Sequence, residues 1–505
     1  MGAEQHFDIV IIGSGMGGLF TAYTLADFGF KVCVLEKNQQ LGGSLQVFSR
    51  DKTIFDTGVH YIGSLDPDQN LGKFFKYAGI YDMVQWQKMD TIFDKVSFSG
   101  DDTEYPVAQG PDNYITELSK HFPENKADIE AYVKKLKDTC GHFPLLSLEY
   151  EDHNYHVEEF ASENVKDVIN GITDNPKLQQ VLSGQEILYG GRADQTPFYV
   201  HALVVYGYMQ SSYKCVGGGS NIAKAMAKRI RAKGGELIKR AKVTSFEMED
   251  GKIKTAVTSD GNRYSADSFI SNIHPKNTFD LLPTEAIKRP YYKRIAKLEN
   301  SVSSFTVHIK FKPKSFKYLN YNHYHNRTND PWDAPHYTEE NWPLSMFICT
   351  PVNHKDPEYA DAMSIMVYMR YEEVEKWADT NNTIVEPGSR GSEYDEWCKM
   401  KGQKVIDATC ELLPELREAM KGFYTSSPLT YRDYIGNDDG SMYGILKNHH
   451  HPIKTFIPPK SKVPNLYLTG QNINLHGILG VTISALATAT QFVDRKELID
   501  RLRAS

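Results

Sequence analysis

Three glycines and one acid carry the first chemistry of this chain. In "GSGMGG" the residues Gly13, Gly15 and Gly18 fit the spacing GxGxxG, and Glu36 follows about 20 residues later. That set grips a dinucleotide. Gly13 permits a tight turn, Gly15 lets backbone approach a pyrophosphate, and Gly18 lets a helix pack closely on a strand. The start of such a helix presents unpaired amide hydrogens and a partial positive charge to phosphate. Glu36 can accept hydrogen bonds from both ribose hydroxyls and would repel a 2′-phosphate, so FAD or NAD fits better than NADP.

These residues must be placed by a strand, a turn, a helix and a second strand. Residues 7–12 are an apolar, β-branched run of the kind buried on both faces of a parallel sheet. Leu19, Ala22, Leu25 and Ala26 then recur at helical spacing, and Lys31 to Glu36 reads as the next strand. A similar arrangement returns at 465–489, "NLYLTGQNINLHGILGVTISALATA". A simple NAD unit has no need of it. It suits FAD, whose ribityl chain and flavin extend past the pyrophosphate. The tail is therefore expected to fold back beside the first unit. Gly470 would lie near the ribityl–phosphate region. The helix after Gly480 would aim its positive end at the flavin pyrimidine ring, where reduced flavin gathers negative charge.

The 505 residues exceed one compact core, and two domains with interleaved segments are expected. Residues 110–185 read as helical and polar. Residues 216–285 return to α/β character, with a helix in "GGGSNIAKAMAKRIRAKGG" and three strands from Lys242 onward joined by "EDGK" and "SDGN" turns. In "SVSSFTVHIKFK", 301–312, Phe305, Val307, Ile309 and Phe311 alternate with Thr306, His308, Lys310 and Lys312. That pattern predicts a half-exposed antiparallel strand, with 362–371 as its companion. The fold class is α/β: a Rossmann-like, glutathione-reductase-type domain assembled from 1–108, 216–290 and 431–505, with an α+β substrate domain from 109–215 and 291–430.

A net charge of −7 gives no basic footprint for nucleic acid. Six scattered cysteines without a CxxC argue against a disulfide framework or a zinc site and suit a reducing compartment. The early first strand leaves no room for a signal peptide, and no apolar run reaches the ~18 residues of a membrane span. The expected location is the cytoplasm, either in solution or peripheral to a membrane. "NHHH" at 448–451 reads as a solvated loop rather than a metal site.

Other segments carry a resemblance. "VIIGSGMGGLFTAYTLADFGFKVCVLEKNQQLGGS" resembles the FAD fingerprint of the phytoene desaturase, carotenoid isomerase and retinol saturase superfamily, which is related to the amine oxidases. "FDTGVHYIG" (55–63), "HALVVYGYMQSSYKCVGGGSNIAKAMA" (201–227), "FISNIHP" (269–275), "GSMYG" (440–444) and "NLYLTGQNINLHGILG" resemble the retinol saturase-like branch and occur in family order. The resemblance implies bound FAD and a redox or isomerising reaction on an apolar conjugated polyene. Carried over by motif, Gly13, Gly15, Gly18, Glu36, Gly42, Gly43, the Val243 backbone, Gly470 and Gly480 would hold the FAD. Their neighbours Met16, Gly17, Lys37, Ser44, Gln471, Asn472 and Val481 are carried with them. One departure stands out. Relatives commonly place Asp or Glu just after the tail glycine, whereas this chain has Gln471 and Asn472, which implies weaker polar contacts. No second GxGxxG offers a dedicated NAD(P)H site.

No Ser–His–Asp order or paired-carboxylate motif is present, so the flavin itself would be the catalyst. A saturase also needs a proton for the second carbon. The candidates are Tyr61 and His476, followed by His60, His201 and Tyr443. Glu186 and Tyr189 would line the substrate tunnel, and the aromatic segment 315–332 could sit at a membrane interface. The central reading is a saturase or desaturase of a carotenoid- or retinoid-like polyene. Its rivals are a flavin-dependent cis–trans isomerase, an amine oxidase, and a non-catalytic prenyl or lipid carrier of the GDP-dissociation-inhibitor type.

Overall fold

The structure, a computed structural model, describes residues 5–150, 160–353 and 355–505. The first strand, Gln5–Ile12, runs parallel between Val32–Glu36 on one side and Arg263–Ser271 on the other. Glu236–Lys239 extends the sheet beyond Val32–Glu36. Arg263–Ser271 is shared along its far edge. Its opening residues pair antiparallel with Lys252–Thr258, which is followed by Val243–Glu249. Its last residues, Phe269, Ile270 and Ser271, pair in parallel with Leu466, Tyr467 and Leu468 of the tail. The tail therefore joins the sheet that the N-terminus begins.

Met16–Asp27, the helix that follows the glycine turn, is buried from Met16 to Ala26. A helix apolar on every side needs cover on every side. The sheet lies under it, and the tail helix Gly477–Ala489 packs against it. One contact shows how close the two ends of the chain come, and a second how tight the first glycine turn is. A Cβ on Gly17 would lie 2.8 Å from the Gly470 Cα, and one on Gly18 would lie 2.1 Å from the Gly13 carbonyl oxygen. Only glycine permits either approach.

A second sheet of seven strands runs in the order 420–426, 303–311, 362–369, 345–349, 322–326, 92–98, 101–108. Its last two strands come from the first 108 residues, where a dinucleotide-binding segment was expected. They are drawn away because Ile92–Phe98 runs parallel to Asn322–Asn326. Two expectations for this sheet need correction. Ser303–Phe311 is not half exposed. Apart from Lys310 it is buried throughout, because the hairpin 47–56 covers its polar face and sets Phe48 and Phe55 against His308. The segment 315–332 is not an interfacial patch either. Phe316, Tyr324 and Trp332 are buried, and Asn322–Asn326 is an inner strand of the sheet. The expected partner strand, Ala362–Met369, pairs antiparallel with 303–311. Helices of 111–119, 126–140, 165–172, 176–183 and 198–210 fill most of the rest of the first half.

Candidate functional site

One large cavity, of about 320 Å³, lies between the two sheets and takes in both glycine turns. Gly13, Ser14, Gly15, Met16 and Gly17 line it, as do Gly42, Gly43 and Ser44. Met16–Asp27 starts there with Gly15 as its N-cap and no side chain capping the first amides. Gly477–Ala489 starts in the same cavity from His476, also with no capping side chain. Free amide hydrogens at a helix start require an acceptor, and the helix dipole favours a negative one. Two such starts in one cavity suit a long ligand that carries negative charge at separate points. The tail helix begins at Gly477, three residues earlier than expected, so Gly480 sits within its first turn. Gly480 and Val481 still line the cavity. Gly18 and Gly470 do not. They serve as packing surfaces, Gly18 beneath the Gly13 carbonyl and Gly470 against Gly17 and Asn272.

Glu36 ends its strand 4% exposed and held from two sides. Its Oε2 accepts from the Ser14 amide at 3.0 Å and the Ser14 hydroxyl at 2.6 Å, and its Oε1 accepts from the Asn38 amide at 2.8 Å. A carboxylate offers about four acceptor positions, so one remains. Three of its acceptor positions are thus taken up within the protein. Ser14 in turn accepts from the Gly42 amide at 3.0 Å, which ties the two glycine loops together. Val243 and Lys37 also line the cavity, and the Lys37 ammonium donates to the Asp433 carbonyl at 2.8 Å.

The tail departs from expectation at Asn472. Its side-chain oxygen accepts from the Ile445 amide at 3.0 Å and so fastens the end of the "GSMYG" loop, while Asn472 also lines the cavity. Behind it lies Lys447, buried with no carboxylate partner among the described residues. Its ammonium donates to the carbonyls of Thr455, Asn472 and Ile473 at 3.0 Å each. Burial lowers its pKa to about 7. Gln471 stays on the cavity wall. Sequence reasoning missed Lys447, and Asn272 with it. Asn272 follows the last residue of Arg263–Ser271 and packs against the glycine turn, where its Nδ2 donates to the Gly13 carbonyl at 3.4 Å. Its place just after a parallel strand in "FISNIHP" was the available signal.

Four of the five candidate acids reach the cavity. His60, Tyr61, Tyr443 and His476 line it alongside Tyr208 and Phe347. His201 does not. It is 1% exposed within Phe198–Gln210, and its two ring nitrogens face the hydroxyls of Tyr132 at 2.7 Å and Tyr189 at 2.9 Å. It is a fully partnered core histidine. Glu186 lines the cavity no more than Tyr189 does; it is fully buried, and burial holds its carboxyl well above the usual range. Among the four, burial pushes His60 down to about 4 and His476 to about 3. Both are neutral near pH 7. His476 stacks on Tyr443 with ring centres 4.2 Å apart, and the Tyr443 hydroxyl donates to the Ile187 carbonyl at 2.9 Å. Tyr61 is different. It stacks on Tyr208 at 4.2 Å, and its hydroxyl meets the Tyr324 hydroxyl at 2.5 Å and the Asp94 Oδ2 at 3.0 Å. No sequence motif marks Asp94 or Tyr324. They arrive from neighbouring strands of the second sheet.

The arrangement can hold an extended nucleotide in its glycine loops and present an apolar, aromatic-walled space in which the lining residue Tyr61 is backed by a buried carboxyl group. Comparison with known proteins bears on this. The chain is 28% identical over 548 residues to all-trans-retinol 13,14-reductase of Macaca fascicularis, covering 99% of this chain and 88% of the relative. It is 26% identical over 472 residues to prolycopene isomerase 1, chloroplastic, of an Oncidium hybrid cultivar, covering 88% and 76%. Among solved structures, wild-type putrescine oxidase bound to putrescine superposes with a TM-score of 0.64 at 13% identity, covering 97% of this chain and 99% of that one, a likeness of fold. Residues 16–492 match the family described as flavin containing amine oxidoreductase, and with nearly its whole length matched the chain belongs to that family.

Proposed function

We propose that this chain binds FAD and adds hydrogen to, or removes it from, a carbon–carbon bond of an apolar conjugated polyene of retinoid or carotenoid type. The observation that carries the reading is the pair of uncapped helix starts opening into one cavity, with apolar and aromatic walls beyond them. The full-length likeness to a retinol 13,14-reductase supports the substrate class. The segments of the first sheet would form the FAD-binding domain, and the second sheet with the helices of 111–210 would cover the substrate. A substrate of this kind partitions into lipid, so we place the protein in the cytoplasm with contact to a membrane surface. No helix among the described residues is long and apolar enough to cross one.

Bound FAD supplies two-electron hydride chemistry. The start of Met16–Asp27, with Gly15, Met16 and Gly17, would take the pyrophosphate, and Gly42, Gly43 and Ser44 would close over it. The remaining acceptor of Glu36 would hold one ribose hydroxyl, and the Val243 backbone would meet the adenine. The start of Gly477–Ala489, with Gly480 and Val481, would face the flavin ring and stabilise negative charge there. Lys447 fixes the Asn472 and Ile473 carbonyls and so sets the direction of that helix start. The proton at the second carbon would come from Tyr61 Oη. His60 and His476 are neutral, and Tyr443 donates to a carbonyl that has no proton to return, whereas Tyr61 donates to a carboxyl group that can carry one. The apolar walls keep water out and hold the polyene against Tyr61.

A second reading, cis–trans isomerisation, is favoured by the likeness to prolycopene isomerase. One experiment separates the two. Reduced and oxidised protein are incubated without oxygen with all-trans-retinol and with a carotenoid, and the products are weighed by mass spectrometry. The proposal expects a product changed by two hydrogens. An unchanged mass with a shifted absorption spectrum identifies an isomerase. A protein that stays colourless after FAD is added defeats both.

A further inference from the structure

Asp94 is 0% exposed, in a strand that no motif marks. It faces a set of groups brought together from four parts of the fold. Its Oδ2 meets the Tyr61 hydroxyl at 3.0 Å and the Gln185 Nε2 at 2.7 Å, and its Oδ1 accepts from the Asn322 Nδ2 at 2.8 Å. Tyr61 continues the chain to the Tyr324 hydroxyl and lines the cavity. Lys214, whose ammonium is spent on the carbonyls of Leu319 at 2.7 Å and Thr350 at 2.9 Å, acts on Asp94 through space. Tyr208 and Cys349 complete the titratable neighbours. A carboxyl group in a sealed, hydrogen-bonded position behind the hydroxyl of a cavity-lining tyrosine is built like a store of protons rather than a structural brace.

Resting on the reading of Tyr61 as proton donor, we propose that Asp94 is the proton reservoir behind it: the Asp94 carboxyl proton passes to Tyr61 Oη as the Tyr61 proton passes to the substrate carbon. Atoms and charges balance. The Tyr61 O–H bond breaks as a C–H bond forms, using the electron pair of the π bond. The Asp94 O–H bond breaks as a new Tyr61 O–H bond forms. The two-electron reductant is the hydride delivered to the other carbon by the flavin chemistry already proposed, and one proton is consumed per turnover. The chemical advantage is the identity of the base left behind. Acting alone, Tyr61 would become a buried phenolate, and burial raises its pKa well above the usual value. With Asp94 behind it, the negative charge ends on a carboxylate that already faces two amide donors and feels Lys214. Burial also outweighs those donors in the resting state and holds the carboxyl well above the usual range, which favours the protonated form.

The test uses full-length, FAD-loaded protein whose aspartate carboxyls carry ¹³C. Its infrared spectrum is recorded in water and in D₂O at about pH 8, where ordinary aspartates are ionised. Asp56, pushed up to about 7, is also largely ionised there, and Glu186 carries no label. The expected result is one labelled carboxylic-acid band that moves in D₂O, vanishes in Asp94→Asn and shifts in Tyr61→Phe. Absence of the band from the wild-type protein overturns the proposal, whatever the substrate proves to be, and does not depend on the folding of any variant. Asp94→Asn keeps the donors around the site and should retain the flavin absorbance. Its polyene conversion should fall about 100-fold or more, with the pH profile altered. Conversion at the wild-type rate with an unchanged profile also overturns it. Should the wild-type protein convert no polyene, the functional reading fails while the band still decides the reservoir.

Discussion

Replacing Glu36 by alanine removes three acceptor contacts in one step, and the structure divides the consequence into two measurable parts. The first concerns the empty protein. The Ser14 and Asn38 amides lose their acceptor in a position that is only 4% exposed. An orphaned buried donor costs about 1–3 kcal/mol, so the two amides together should lower stability by about 2–6 kcal/mol. The second part concerns the nucleotide. The acceptor position that remains on Glu36 would hold a ribose hydroxyl, a hydrogen bond to a charged group worth about 1.5–3 kcal/mol. Its loss should raise the dissociation constant for FAD by about 10-fold to 150-fold. Urea unfolding of the FAD-free protein measures the first quantity. Titration of flavin fluorescence, at a temperature where variant and wild type are equally folded, measures the second. A stability loss with FAD affinity within about threefold of wild type would refute the ribose assignment and leave Glu36 as a brace for the Ser14 turn.

Two further outcomes are expected. Burial lowers Lys447 to about 7 in the folded protein, whereas an unfolded lysine titrates near 10.4. Between those values only the unfolded chain holds the proton, so folding stability should rise with pH by about 1.4 kcal/mol per unit across that window and gain nothing from Lys447 below it. Unfolding curves at several pH values should show this slope in the wild type and its loss in Lys447→Met; parallel curves would show that the ammonium stays charged. His201→Phe should destabilise the protein by about 2–6 kcal/mol, since the Tyr132 and Tyr189 hydroxyls both lose their partner, yet leave FAD affinity unchanged. A tenfold loss of affinity with unaltered stability would return His201 to the site.

What the sequence determined by itself was whatever depends on local geometry. GxGxxG forces a turn that only glycine can make, and the apolar run before it must be a buried strand. Glu36 has to end the next strand, and the small residues at 465–489 can come close to another helix. From these, the parallel sheet, the meeting of the two ends and most of the glycine-loop residues that line the cavity were legible. Tertiary structure decided what depends on who covers whom. The alternation in 303–311 was read correctly as a strand and wrongly as half exposed, because a hairpin from residues 47–56 covers the polar face. The sequence ranked Tyr61 and His476 first among the histidine and tyrosine candidates, by motif alone. Burial made His60 and His476 neutral, two tyrosines claimed His201, and a strand pairing put Asp94 and Tyr324 behind Tyr61. A proton's position depends on distance, dielectric and partners. Those are set by strands more than two hundred residues apart in the chain, as with Asp94 and Asn322, which lie 228 positions apart and share a hydrogen bond of 2.8 Å.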